Sequence, residues 1–99
     1  MLAITRFRDV DPALAAGLGA VAEFWRAKSG CLAVDVVQNL DEPGLWAIVS
    51  RWSDVGSYRR AFSGYDAKVL LTPVLVRAED EPSAFLDPAE LGANRPRGT

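Results

Sequence analysis

The sequence predicts an α+β domain with elements in the order β-α-β-β-α-β, a four-stranded antiparallel sheet carrying both helices on one face. Three observations lead there. Runs of β-branched and aromatic residues alternate with stretches of helical apolar spacing. Each helical stretch opens on a capping residue, at Asp11-Pro12 and at Ser53-Asp54. The two middle strands are joined only by "DEPG", which is turn chemistry.

Each element follows from its residues. "LAITRFR", residues 2–8, reads as the first strand. Asp11-Pro12 then sets an N-cap and a proline at the first helical position, and Leu14, Leu18, Val21 and Trp25 keep helical spacing up to a stop at Ser29-Gly30. Gly17 and Gly19 weaken this helix by about 1 kcal/mol each relative to alanine, unless close packing uses them. "CLAVDVVQNL" (31–40) and "LWAIVSRW" (45–52) form a hairpin. A second helix runs through "VGSYRRAF", breaks at Ser63-Gly64 and resumes in "YDAKVLL", and Thr72-Pro73 reads as a fresh helix start toward Arg77. "SAFL" (83–86) is the candidate final strand. Residues 1–86 are thus one domain, and 87–99, rich in Pro, Gly, Asn and Arg, read as a flexible C-terminal tail. The order is that of the split βαβ, ferredoxin-like fold.

Composition excludes several chemistries. The net charge is −2 and the nine arginines are scattered, so nucleic acid is not the expected partner. No stretch approaches the roughly 20 apolar residues of a membrane helix, and no signal-peptide pattern opens the chain; with one cysteine, Cys31, the expected location is cytoplasmic. There is no histidine, which removes Ser–His–Asp triads, His–zinc sites and histidine-ligated haem. No cofactor and no metal are expected.

Strand parity orients the hairpin. If Leu40 and Leu45 pair across a four-residue turn, Ala33, Asp35, Val37 and Asn39 share a face with Trp46, Ile48, Ser50 and Trp52. The other face then carries Leu32, Val34, Val36, Gln38 and Leu40 beside Leu45, Ala47, Val49 and Arg51. That second, mostly aliphatic face has nothing of its own chain to cover it and predicts a homodimer packed sheet against sheet. A slip of one residue in the second strand exchanges the two sets and takes Asp35 away from the tryptophans.

"SGCLAVDV", "LWAIVSRW" running into "SD" and a helix, and "FSGYDAKVLLTPVLVRAEDEPSAF" carry a resemblance. Over residues 2–86 the chain resembles the antibiotic biosynthesis monooxygenase family, whose members are dimeric α/β barrels. The resemblance implies a cofactor-independent monooxygenase that oxidises a phenolic or polyketide-like aromatic with O2. In the family's anthrone-oxidising members the pocket lies between sheet and helices. Trp52 matches a tryptophan that lines it at the end of the third strand, and Tyr58 matches its tyrosine. Ile48 stands where those members have an asparagine, and Arg77 is the nearest arginine to the one they carry farther on. The haem-degrading branch requires an axial histidine, which this sequence lacks.

The residues themselves propose Trp46, Trp52 and Tyr58 as flat walls for a planar ligand, Asp35 opposite Ser50 as a general base, and Asn39 to orient a phenol or carbonyl oxygen. Asp35, Trp52 and Tyr58 are the catalytic candidates; Asn39, Trp46, Ile48, Ser50 and Arg77 are the substrate-binding ones. Two alternatives stay open: a non-catalytic dimer that shelters a small molecule, and an isomerase or cyclase working from the same pocket with Asp35 as base.

Overall fold

Asp11 and Asp54 start the two main helical stretches as their sequence positions demand. The computed structural model of the protein describes residues 1–94. In chain order these form β1 (Leu2–Phe7), α1 (Pro12–Arg26), β2 (Cys31–Gln38), β3 (Trp46–Trp52), α2 (Val55–Arg60), α3 (Tyr65–Leu75), β4 (Ala84–Phe85) and α4 (Pro88–Asn94). A carboxylate oxygen of Asp11 accepts the Leu14 N–H at 2.8 Å, and Asp54 does the same for Ser57 at 2.7 Å. α1 buries Leu14, Leu18, Val21, Ala22 and Trp25, the stripe a 3.6-residue period puts on one side. Gly17 lets α1 approach α3, since a Cβ there would stand 3.0 Å from Val74 Cγ2. Pro73 does not begin a new helix. It sits inside α3 near its C-terminal end, is exposed, and the chain remains helical to Leu75.

The strands lie in the order β2-β3-β1-β4, every neighbouring pair antiparallel. This is the expected ferredoxin-like topology, but the barrel is not formed: the sheet is open. β2 and β4 are its two edges, and β4 is a two-residue strand pairing only with Leu2 and Ala3. So few strands, one of them this short, give no second edge long enough to curl round and bond to β2. The chain between α3 and β4 runs along the same side of β1, through a Phe7–Ala78 bridge and bonds from Glu79 N to Arg6 O (2.8 Å) and Ile4 N to Ser83 O (2.7 Å).

The hairpin register differs by one residue from the Leu40–Leu45 pairing. The closing pair is Asn39 and Leu45, bonded from Asn39 N to Leu45 O at 2.8 Å. The Asn39 side-chain oxygen accepts from both Asp41 N and Glu42 N at 2.8 Å, winding residues 40–44 into a five-residue loop. Val34, Val36 and Gln38 therefore pair with Ser50, Ile48 and Trp46, while Asp35 pairs with Val49. Even positions of both strands face the helices, and Asp35 lies exposed on the opposite face, so it does not stand beside Ser50. A bulge between Cys31 and Ala33 turns Leu32 outward, 64% exposed.

The helix-facing side of the sheet contributes Phe7, Val34, Ile48 and Trp52 to a core closed by Leu18, Val21, Trp25 and Leu71. Within the segment read as a tail, Pro88–Asn94 form α4; residues 95–99 lie outside the described residues. No helix among the described residues is long and apolar enough to cross a membrane.

Candidate functional site

Trp52 ends β3 with its side chain under the helices, buried, and its indole N–H donates to Ser50 Oγ at 2.9 Å. Because side chains two apart on a strand share a face, Ser50 is the residue placed to take that proton. Around Trp52 the fold assembles four rings from three elements. Trp25 of α1 meets Trp52 edge-on at 6.1 Å between centroids, and Tyr58 of α2 meets it at 5.8 Å. Phe62, just past α2, closes the circuit, 4.9 Å from Tyr58 and 5.5 Å from Trp25. Tyr58 and Phe62 are four residues apart, so one helical turn and its continuation place both on the same side. Such edge-to-face pairs contribute about 0.5–1.5 kcal/mol each beyond area burial.

Tyr58 is half-buried and opens onto a cleft of about 350 Å³. Its walls are Met1 of the first strand's leading end, Val55, Tyr58 and Arg59 of α2, Ala84–Leu86, and Leu91 of α4. That volume and mostly apolar lining suit a small aromatic molecule. A second, more polar cleft lined by Ser53, Asp54 and Glu90 shares the walls Val55, Arg59, Leu86 and Leu91.

The electrostatics of this end are simple. Burial pushes the Tyr58 hydroxyl above its usual range, with hydrogen bonding to Ser83 opposing, so it stays neutral at physiological pH. Asp54 is held below the usual carboxylate range by hydrogen bonds from the Ser57 N–H and from the Ser53 and Ser57 hydroxyls. Its charge is thus committed to capping α2. Arg60 is drawn to the same cap, its guanidinium 3.2 Å from Ser57 Oγ. Arg59 takes part in no ion pair among the described residues, which leaves one uncommitted cation on the cleft wall. Burial also raises the Cys31 thiol, which keeps it from acting as a thiolate. Among the described residues no group of three histidine, cysteine, aspartate or glutamate side chains is placed to hold a metal ion.

The sequence-derived candidates divide by position. Trp52, Tyr58 and Ser50 come together here, with Ser50 engaged as the acceptor for Trp52. Ile48 is fully buried in the core. Asp35 is on the other face of the sheet. Asn39 shapes the hairpin loop, and Trp46 stands at that same end, its indole donating to Pro43 O at 2.9 Å. Six residue steps along the strand separate Trp46 from Trp52, about 20 Å of chain, so a shared face does not make them one wall. Arg77 is exposed next to Ala78, which bridges Phe7 at the Trp46 end of β1. Sequence reasoning missed Trp25, Phe62 and Phe85 as site residues. The four-residue spacing of Tyr58 and Phe62 signals the ring pair, whereas nothing local links Trp25 to Trp52.

A model of the antibiotic biosynthesis monooxygenase family matches residues 3–68. Among solved structures, the chain is similar to Rv0793 from Mycobacterium tuberculosis, at 22% identity over 89% of this chain and 96% of that one, TM-score 0.68. It is similar to a mutant of SnoaB, a cofactor-independent oxygenase from Streptomyces nogalater, at 15% identity over 88% and 91% of the two chains, TM-score 0.71. A conserved protein from Methanosarcina mazei aligns at 20% identity over 84% and 85%, TM-score 0.64. At these identities the structural likeness speaks for the fold. A search of curated proteins found no significant match.

Proposed function

We propose that this chain, which belongs to the antibiotic biosynthesis monooxygenase family, is a cofactor-independent monooxygenase that oxidises a phenolic, polyketide-like aromatic with O2. The observation that carries the reading is the circuit of four aromatic rings whose outer member, Tyr58, opens onto an apolar cleft of about 350 Å³.

Triplet oxygen reacts slowly with closed-shell molecules, so the substrate must first become an electron-rich anion. Among the described residues the first cleft's lining holds no carboxylate, and its polar side chains are Tyr58 and Arg59. The fitting substrate is therefore one acidic enough to ionise by itself, such as an anthrone or hydroquinone, with Arg59 favouring the anion. The anion passes one electron to O2, and the two radicals join to form a carbon–peroxide bond. Loss of the second hydrogen from that carbon, with cleavage of the O–O bond, leaves a ketone and expels the other oxygen as water. For a methylene substrate the balance is CH2 + O2 → C=O + H2O. Tyr58, neutral at working pH, is the proton donor proposed to serve the departing oxygen.

Oxygen uptake on 1,8-dihydroxyanthrone, with the wild type beside Tyr58→Phe and Trp52→Phe, tests this. Uptake above the uncatalysed rate is expected, falling about ten-fold or more in Tyr58→Phe. No uptake by the wild type on an anthrone and hydroquinone panel overturns it. That no base lines the cleft among the described residues favours one second reading, a binding protein that shelters such an aromatic without oxidising it; anthrone binding without uptake is its signature. The isomerase or cyclase reading depended on Asp35, which lies across the sheet.

We further propose that the open sheet face pairs with a second copy of the chain. Leu32, Val37 and Phe85 are 64%, 44% and 48% exposed there. Asp35 and Arg51 are exposed on the same face without an ion pair among the described residues, so a two-fold axis would let each meet its opposite charge on the partner. Sedimentation as a monomer at micromolar concentration overturns this reading.

A further inference from the structure

Among the described residues one buried side-chain polar atom has no hydrogen-bond partner, the indole Nε1 of Trp25. The residue is 1% exposed and its ring packs on both Trp52 and Phe62. The other polar groups of the aromatic circuit have partners: Trp52 donates to Ser50, and the Tyr58 hydroxyl interacts with Ser83. A donor left unpaired in the interior is destabilising, and native proteins rarely leave one so. If this position served packing alone, a hydrocarbon ring would fill it without that cost.

We infer that the Trp25 Nε1–H is the inner binding donor of the aromatic site, placed to hold a carbonyl or phenolate oxygen at the leading edge of a planar ligand. The inference rests on the aromatic-ligand reading given above. Two half-buried rings, Tyr58 and Phe62, pack on the buried indole pair, Phe62 on Trp25 and Tyr58 on Trp52. Tyr58 lines the 350 Å³ cleft, and Phe62 lines a separate one of about 260 Å³ beside Leu71 and Leu75. Entry of a ligand displaces these rings, and its flat face replaces the edge contacts they make with Trp25 and Trp52. An indole N–H donates and never accepts, so it selects for a ligand that presents an acceptor oxygen there and against one that presents only hydrocarbon. In a water-excluded site that preference is strong, because a ligand without the oxygen leaves the donor unpaired. Ile48, which faces the same layer from β3, offers no polar group to compete for the oxygen.

The test is a matched pair of probes, anthraquinone-2-sulfonate, which carries ring carbonyls, and anthracene-2-sulfonate, which does not. Protein labelled with 15N gives three indole N–H signals, assigned by elimination with Trp46→Phe and Trp52→Phe, so the experiment does not depend on a variant lacking Trp25. On saturation with the quinone the Trp25 proton moves downfield, while that of Trp46, already bonded to Pro43, stays in place. The wild type binds the quinone about ten-fold more tightly than the hydrocarbon. Trp25→Phe loses that preference and keeps its affinity for anthracene-2-sulfonate, which also shows that the variant is folded. A bound quinone that leaves the Trp25 proton unmoved, or a preference that survives in Trp25→Phe, overturns the inference while the aromatic site stands. A water exchange peak on the Trp25 proton that persists at saturation overturns it too, by naming water as the partner. Binding of neither probe to the wild type overturns the aromatic-ligand reading and this inference with it.

Discussion

Replacing Ser50 with alanine removes a single oxygen atom and should be felt through Trp52. Both residues are 1% exposed, and the 2.9 Å bond from Trp52 Nε1 to Ser50 Oγ lies wholly inside the core. Ser50→Ala leaves that N–H unpaired with no water to replace the lost acceptor, a loss of about 1–3 kcal/mol. The volume removed is too small for a cavity to add much. For a domain of this size each kcal/mol moves the melting temperature by roughly 4–8 °C, so a fall of about 10 °C is expected. The assay is thermal unfolding of four proteins: wild type, Ser50→Ala, Trp52→Phe and the double variant. In the Trp52→Phe background the hydroxyl serves no donor, and Ser50→Ala should become neutral or slightly stabilising. Equal losses in the two backgrounds would refute the argument, because Ser50 would then contribute something other than the hydrogen bond. The cycle also decides whether the wall of the site is held in place by its own strand.

Gly30→Ala should cost about 3 kcal/mol, since Gly30 has φ +87° and a Cβ there would lie 2.3 Å from Ser57 Oγ and 2.4 Å from Ser57 Cβ; Ser57→Gly in the same chain should recover part of the loss in chemical denaturation. Asp35→Asn should leave stability within about 0.5 kcal/mol and leave anthrone oxidation unchanged, and a ten-fold loss of uptake would contradict the register. The Tyr58 hydroxyl is raised by burial above its unfolded value of about 10, so its stabilising effect is fully present below that pH and is lost as the pH rises through the higher folded value. Melting curves taken from roughly pH 9 to 11 should therefore fall less steeply for Tyr58→Phe than for the wild type.

The element order was legible because the caps that start the helices are local: Asp11 and Asp54 each reach an N–H three residues on, a contact written into neighbouring letters. The register was not, because it depends on the wrap of the Asn39 side chain around Asp41 and Glu42, which adds one residue to the loop and shifts the pairing of the hairpin strands. "DEPG" signals a turn equally well in either geometry. The open sheet was hidden for a different reason. A resemblance speaks for an architecture, whereas the reach of an edge strand is set by chain length, and β4 has only Ala84 and Phe85 to offer. At the site, matching positions found Trp52 and Tyr58. Trp25 fell into a helical stripe that periodicity can only read as core, since the state of an indole N–H is a fact of three dimensions.

That one-residue shift also decides which chemistry the site can host. In the expected register Asp35 would have been a carboxylate among the tryptophans, and the protein could have taken a proton from a weakly acidic substrate. In the observed register Val34 and Val36 occupy the helix-facing positions and Asp35 joins Arg51 on the open face. The aromatic site is left with hydrogen-bond donors: the indole of Trp25, the neutral hydroxyl of Tyr58 and the guanidinium of Arg59. Donors favour a substrate's anion but cannot take its proton themselves. Selectivity at this site then comes from the substrate's own acidity. Across a series of anthrones, oxidation should track the fraction ionised in solution; a rate independent of substrate acidity would require a base that the cleft lining does not contain among the described residues.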